Sequence, residues 1–166
     1  GVKLPPNPTA KPSPLAKITP VTEQMLSSPP AGSWLDGRRT RDAQGFSPLK
    51  QINKGNVSKL RLSWSLSLPP GPNQNTPLVH DGVMFVHAFK DVLQAVDAVT
   101  GDILWQYTYR LPKDVTPTPK KSIAIYDSLV FMPTSDAHIV ALNMKTGAVV
   151  WNTGVGGSTF TMSGGP

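Results

Sequence analysis

Cysteine is absent from the 166 residues. That removes disulfides, thiolate-held zinc, iron–sulfur clusters and thiol catalysis from consideration. Glutamate is nearly absent, since Glu23 is the only one among ten acidic residues. Scarce glutamate alongside 18 prolines and 14 glycines argues against a helical bundle and for strands joined by turns. Long apolar runs are also missing. No stretch of about 18 apolar residues offers a membrane span, and the N-terminus has no apolar signal-peptide core. An exported protein with this start has already lost its signal.

Positive charge is in excess, at a formal +6, and it is clustered. Arg38, Arg39, Arg41, Lys50, Lys54, Lys59 and Arg61 follow one another with Asp42 the only acid between Arg38 and Arg61. Nucleic-acid binding calls for interleaved exposed aromatics or a recognition helix. Neither is visible, so no nucleic-acid partner is expected, and the stretch reads as a solvated or docking face.

The chain divides into three parts. Residues 1–20 hold five prolines in the first fourteen positions and no acid, which predicts an extended, mobile leader. Residues 21–59 form a wrapping segment: one short helical turn over Val21–Leu26, stopped by Pro29, Pro30 and Gly32, then irregular chain. From residue 60 to 166 the pattern is that of short strands. Leu60, Leu62, Trp64, Leu66 and Leu68 alternate with polar residues and predict a half-buried strand over 60–68. Two apolar runs then meet at Asp81-Gly82, a strong hairpin signal. Further runs cover 92–98, 102–109, 122–134, 138–143 and 148–152. Tight turns between strands of this length predict an all-β, antiparallel protein.

One eleven-residue pattern occurs twice. Ala95, Asp97, Thr100, Gly101 and Trp105 recur as Ala141, Asn143, Thr146, Gly147 and Trp151, 46 residues apart. Trp64 stands 41 residues before Trp105. A period of 40–50 residues with four short strands per unit is the pattern of β-propeller blades. Asp97 and Asn143 are suited to accept backbone hydrogen bonds within a turn, and Gly101 and Gly147 supply its unusual backbone angles. The tryptophans are suited to pack between blades. Two blades leave open edges, so the chain reads as the N-terminal portion of a larger ring.

The repeated A-x-[DN]-x-x-T-G-x-x-x-W resembles the tryptophan-docking motif of quinoprotein (PQQ-dependent) alcohol dehydrogenases, which are eight-bladed propellers. Val21–Leu26, Trp34-Leu35, Gly37-Arg38, Ser47-Pro48-Leu49, Gln51-Ile52-Asn53 and Lys59-Leu60 are similar to that family's opening. Gln74 through Val79, then Asp81 through Met84, resemble its first blade. The resemblance covers residues 21–166.

It implies a periplasmic enzyme that oxidises an alcohol or aldehyde by hydride transfer to PQQ, with electrons passed to a cytochrome c. It implies a calcium or lanthanide ion beside the PQQ. The family's glutamate contact to PQQ falls at Gln74, its arginine contact at Lys121 and its threonine contact at Ser163. Gln74 keeps hydrogen bonding without charge, Lys121 keeps charge without the planar fork, and Ser163 keeps the hydroxyl. A vicinal cysteine pair that many members place beside PQQ falls near Val115-Thr116 and is replaced. The catalytic aspartate and the metal ligands are expected beyond residue 166, so no catalytic or metal-ligating residue is assigned within the chain. The aspartates read as turn residues, and His80, His87 and His138 show no metal-like spacing. The remaining blades are the expected partner. The alternative reading is a non-catalytic propeller that serves as a protein-interaction scaffold.

Overall fold

Two successive sets of four strands build two antiparallel sheets of the same order. The computed structural model describes residues 12–157 and 160–164. The first blade comprises β1 (Leu78–His80), β2 (Val83–Ala88), β3 (Val92–Asp97) and β4 (Ile103–Thr108). The second comprises β5 (Ala124–Tyr126), β6 (Leu129–Pro133), β7 (His138–Asn143) and β8 (Val149–Gly154). Each sheet runs in sequence order, so every connection is a hairpin. The β1–β2 hairpin pairs His80 with Val83 across Asp81 (φ 47°) and Gly82 (φ 79°). Two consecutive positive φ angles are what a two-residue hairpin of matching twist requires. Both blades carry a ladder irregularity at the same place, between Ala95 and Val96 and between Ala141 and Leu142.

Apolar residues alternate inward from the middle strands. Phe85, Leu93, Val130, Met132, Val140 and Leu142 are all fully buried in one cluster. Burial of this kind contributes roughly 1.5–3 kcal/mol per large side chain relative to exposure. The N-terminal segment adds to the same core through Ile18, Val21 and Leu35. Bridges from Trp34 to Val79 and from Val21 to Asp127 fasten that segment to both blades.

Two expectations change here. The expected extended, mobile leader does not describe residues 12–20. Residues 1–11 lie outside the described residues, and residues 12–20 pack down. Ile18 is buried, and Thr19 donates to Asp81 Oδ2 from both its backbone N–H (2.9 Å) and its hydroxyl (2.6 Å). The expected strand over 60–68 pairs with no other strand among the described residues, and Leu62 is 84% exposed. Its alternation is real, but ladder bonds need a neighbour on the edge. The expected short helical turn is present as α1 (Glu23–Ser27), capped by the Thr22 hydroxyl accepting from Met25 N–H.

The tryptophans reveal what residues 60–68 are. Trp105, on β4, donates its indole N–H to Met144 O (2.9 Å), and its ring lies on Gly147. Trp64 donates to Ala98 O (3.2 Å), and its ring lies on Gly101. The two contacts are equivalent, so residues 60–68 hold the position of a fourth strand ahead of the first blade. Trp151 sits beside Phe131 (ring centroids 5.7 Å) as Trp105 sits beside Phe85 (6.0 Å). Its strand β8 is exposed along its whole length. The turns beneath these rings match the expected chemistry. Asp97 Oδ1 accepts from Val99 and Thr100 N–H, and Asn143 Oδ1 accepts from Lys145 and Thr146 N–H. Among the described residues no helix is long and apolar enough to cross a membrane.

A methyl group at position 147 would stand 2.7 Å from the Trp105 ring, on a backbone with φ 68°. Gly147→Ala is therefore expected to destabilise the folded protein by about 1–3 kcal/mol through strain and ring displacement. Denaturant unfolding checks this, and Ala148→Gly, one residue along on the same turn, is expected to shift the midpoint less.

Candidate cofactor-facing site

The segments that lead into β1 and β5 run side by side. Asn73 and Lys120 form a parallel bridge, and Thr76 N–H donates to Lys121 O (3.4 Å). A third segment joins them, because Lys121 N–H donates to Ser163 O (3.0 Å). Convergence of consecutive entry segments marks the axis side of the blades, with β4 and β8 at the far edge. The three residues assigned from the sequence thus lie on three adjoining backbones.

Local bonds set which way each side chain turns. Asn73 donates to Pro69 O and Gly71 O and accepts from Phe89 N–H (2.7 Å). Asn75 accepts from His87 N–H (3.3 Å). Both asparagines are tied to the first blade, and in extended chain the residue between them faces the other way. Gln74 is that residue, and it is exposed. Lys120 is fully buried and Lys121 exposed, the same alternation one segment over. Ser163 is half-buried. Lys121 has no ion-pair partner among the described residues. Val115, at one half of the replaced cysteine position, closes a turn by donating to Pro112 O (3.2 Å).

Behind these residues lies a buried polar cluster that the sequence reading missed. Lys120 Nζ is 2.8 Å from Asp91 Oδ1, and both side chains are fully buried. The contact with Asp91 is an ion pair, and the three N–H groups of the ammonium donate to Thr118 Oγ1 (3.0 Å), Ser135 Oγ (2.9 Å) and Met162 O (3.0 Å). Asp91 Oδ2 accepts from Ser135 N–H (3.2 Å). Burial lowers the Lys120 pKa, and the Asp91 carboxylate opposes that drop. His87 is buried beside the pair, its Nε2 3.9 Å from Asp91 Oδ1 and both ring nitrogens without hydrogen-bond partners among the described residues. Burial first, and the Lys120 charge second, push its pKa down to about 3. His87 is therefore a neutral ring in the folded protein.

Residues 34–162 match the family model described as PQQ: Glucose/ethanol/alcohol dehydrogenase, beta-propeller domain. The chain belongs to that family. Among its relatives is the quinoprotein ethanol dehydrogenase of Pseudomonas aeruginosa, 43% identical over 132 residues, a match covering 75% of this chain and 21% of that protein. The crystal structure of the quinohemoprotein alcohol dehydrogenase from Comamonas testosteroni superposes with a TM-score of 0.80 at 28% identity, covering 92% of this chain and 25% of that one. A europium-containing methanol dehydrogenase gives a TM-score of 0.75 at 30% identity, covering 86% and 27%. The chain spans 17–29% of the length of the curated relatives it matches.

The axis-side residues fit the family's cofactor in kind. PQQ is a planar quinone carrying carboxylates, and an unpaired ammonium, an amide and a hydroxyl on adjoining segments are donors for such a group. Among the described residues no group of three or more His, Cys, Asp or Glu is placed to hold a metal.

The His87 environment gives a pH test. The unfolded chain takes up a proton near the ordinary histidine value of 6.5, while the folded chain does not until about pH 3. Between these values the unfolded state binds more protons, so stability falls as pH falls. From pH 7 to pH 5 the loss is about 2 kcal/mol, at up to about 1.4 kcal/mol per unit below 6.5. Denaturant unfolding at both pH values is expected to show that loss in the parent and not in His87→Leu.

Proposed function

We propose that the chain supplies the first two blades of a PQQ-dependent dehydrogenase that oxidises a small alcohol or aldehyde. The observation that carries this reading is the adjoining of Gln74, Lys121 and Ser163 on three axis-side segments of a chain belonging to this family. Bound PQQ supplies a two-electron acceptor for the hydride of the alcohol. Lys121 offers a positive charge to a carboxylate or quinone oxygen, Gln74 an amide and Ser163 a hydroxyl. These groups bind and orient. Proton abstraction from the alcohol and coordination of a calcium or lanthanide ion fall to residues of the completing blades. The partners in this reading are those blades and a cytochrome c that takes the electrons. The location in this reading is the periplasm.

Exposed β8 supports the need for a further blade, since Trp151 presents the same ring that Trp105 places on the second blade. In the complete protein, apo-enzyme titrated with PQQ and a divalent or lanthanide ion is expected to gain quinone absorbance and alcohol-dependent dye reduction. A folded ring that binds no quinone with PQQ in excess would establish the scaffold reading instead. Lys121→Gln is expected to weaken PQQ binding about tenfold to a hundredfold, the range of one hydrogen bond to a charged group. An unchanged dissociation constant would remove Lys121 from the site.

A further inference from the structure

A buried ion pair is costly to form, and a hydrophobic pair of similar volume is often as stable. The Asp91–Lys120 pair therefore calls for an account other than stability. Its placement supplies one. Asp91 lies on the β2–β3 turn of the first blade, and Ser135 on the β6–β7 turn of the second. Lys120 lies on the segment entering β5, and Met162 on the third axis-side segment. One ammonium thus fastens four pieces of chain from two blades. The tight turn that presents Asp91 has Lys90 at φ 65° and Asp91 at φ 54°. Aspartate tolerates that region better than most residues, so the turn fixes the carboxylate in place.

The two backbones that Lys120 joins are those of the proposed contact residues, exposed Lys121 and half-buried Ser163. Lys121 follows Lys120, Ser163 follows Met162, and the bond from Lys121 N–H to Ser163 O lies next to the bond from Lys120 Nζ to Met162 O. We propose that Asp91 and Lys120 are positioning residues for quinone binding. They fix the register of segments 120–121 and 162–163, so that Lys121 and Ser163 are presented together toward the cofactor. This rests on the cofactor reading given above. The pair touches no substrate or cofactor. It acts through the neighbours it holds.

The decisive variant is the double substitution Asp91→Leu with Lys120→Met in the complete apo-enzyme. It removes both charges and leaves neither one buried alone. Unfolding midpoint and PQQ dissociation constant are measured together, the latter by quenching of tryptophan fluorescence, with Lys121→Gln alongside. The expected result is a midpoint near that of the parent and PQQ binding at least tenfold weaker. Parent-like PQQ binding in the double variant, with Lys121→Gln impaired, overturns the positioning role and leaves the cofactor reading standing. A parent that binds no PQQ overturns the cofactor reading, and the positioning role with it. If the double variant does not fold, Ser135→Ala takes its place, since it removes one partner of Nζ and keeps the ion pair. It is expected to weaken PQQ binding several-fold at an unchanged midpoint, and parent-like binding there also overturns the proposal.

Discussion

An indole ring laid flat on a left-handed glycine is the contact on which the rest of the structure depends. Trp105 on Gly147 and Trp64 on Gly101 each join the last strand of one unit to the last turn of the next. The glycine is required twice over. Its φ is positive, and a side chain there would meet the ring at under 3 Å. The indole N–H then reaches a carbonyl of the same turn, so a large apolar surface is buried with its one polar group satisfied. With the blades held in this way, their entry segments come side by side and the axis-side residues are gathered.

What was legible in the sequence followed from short-range rules. Asp81-Gly82 specifies its hairpin through backbone angles alone, and the Asp97 and Asn143 turns through bonds spanning two or three residues. The repeat located both blades because each copy solves the same docking problem. The segment 60–68 shows the limit. Its alternation records a surface suited to pairing, while the partner strand is set by the rest of the ring. Residues 12–20 depart from the expected mobile leader for a related reason. Proline-rich composition speaks of chain stiffness, and says nothing of Ile18 finding a place between the N-terminal segment and the blades.

The buried cluster was illegible for a sharper reason. Ile123 and Ile125 point inward, and period two continued backward would turn Lys121 in and Lys120 out. The chain breaks step at Ser122, and Lys120 is the residue that goes in. Asp91 was equally hidden, since an aspartate at a hairpin is ordinarily a turn former. Its partner is 29 positions away in the next blade. Likeness to a family pointed to the exposed face of this strand. The face behind it became visible only when the two blades were placed together.

The way Trp64 is seated has a consequence for how pieces of such a ring recognise one another. Docking of last strand on last turn is directional, with a donor side and an acceptor side on every unit. Repeating units of that kind form closed rings or open fibres, according to whether the rotation closes. Here the turn at Gly101 takes the ring of Trp64 and the turn at Gly147 takes the ring of Trp105, so each turn is filled by the unit just before it in the chain. The order of the units in the sequence is thereby also their order in space.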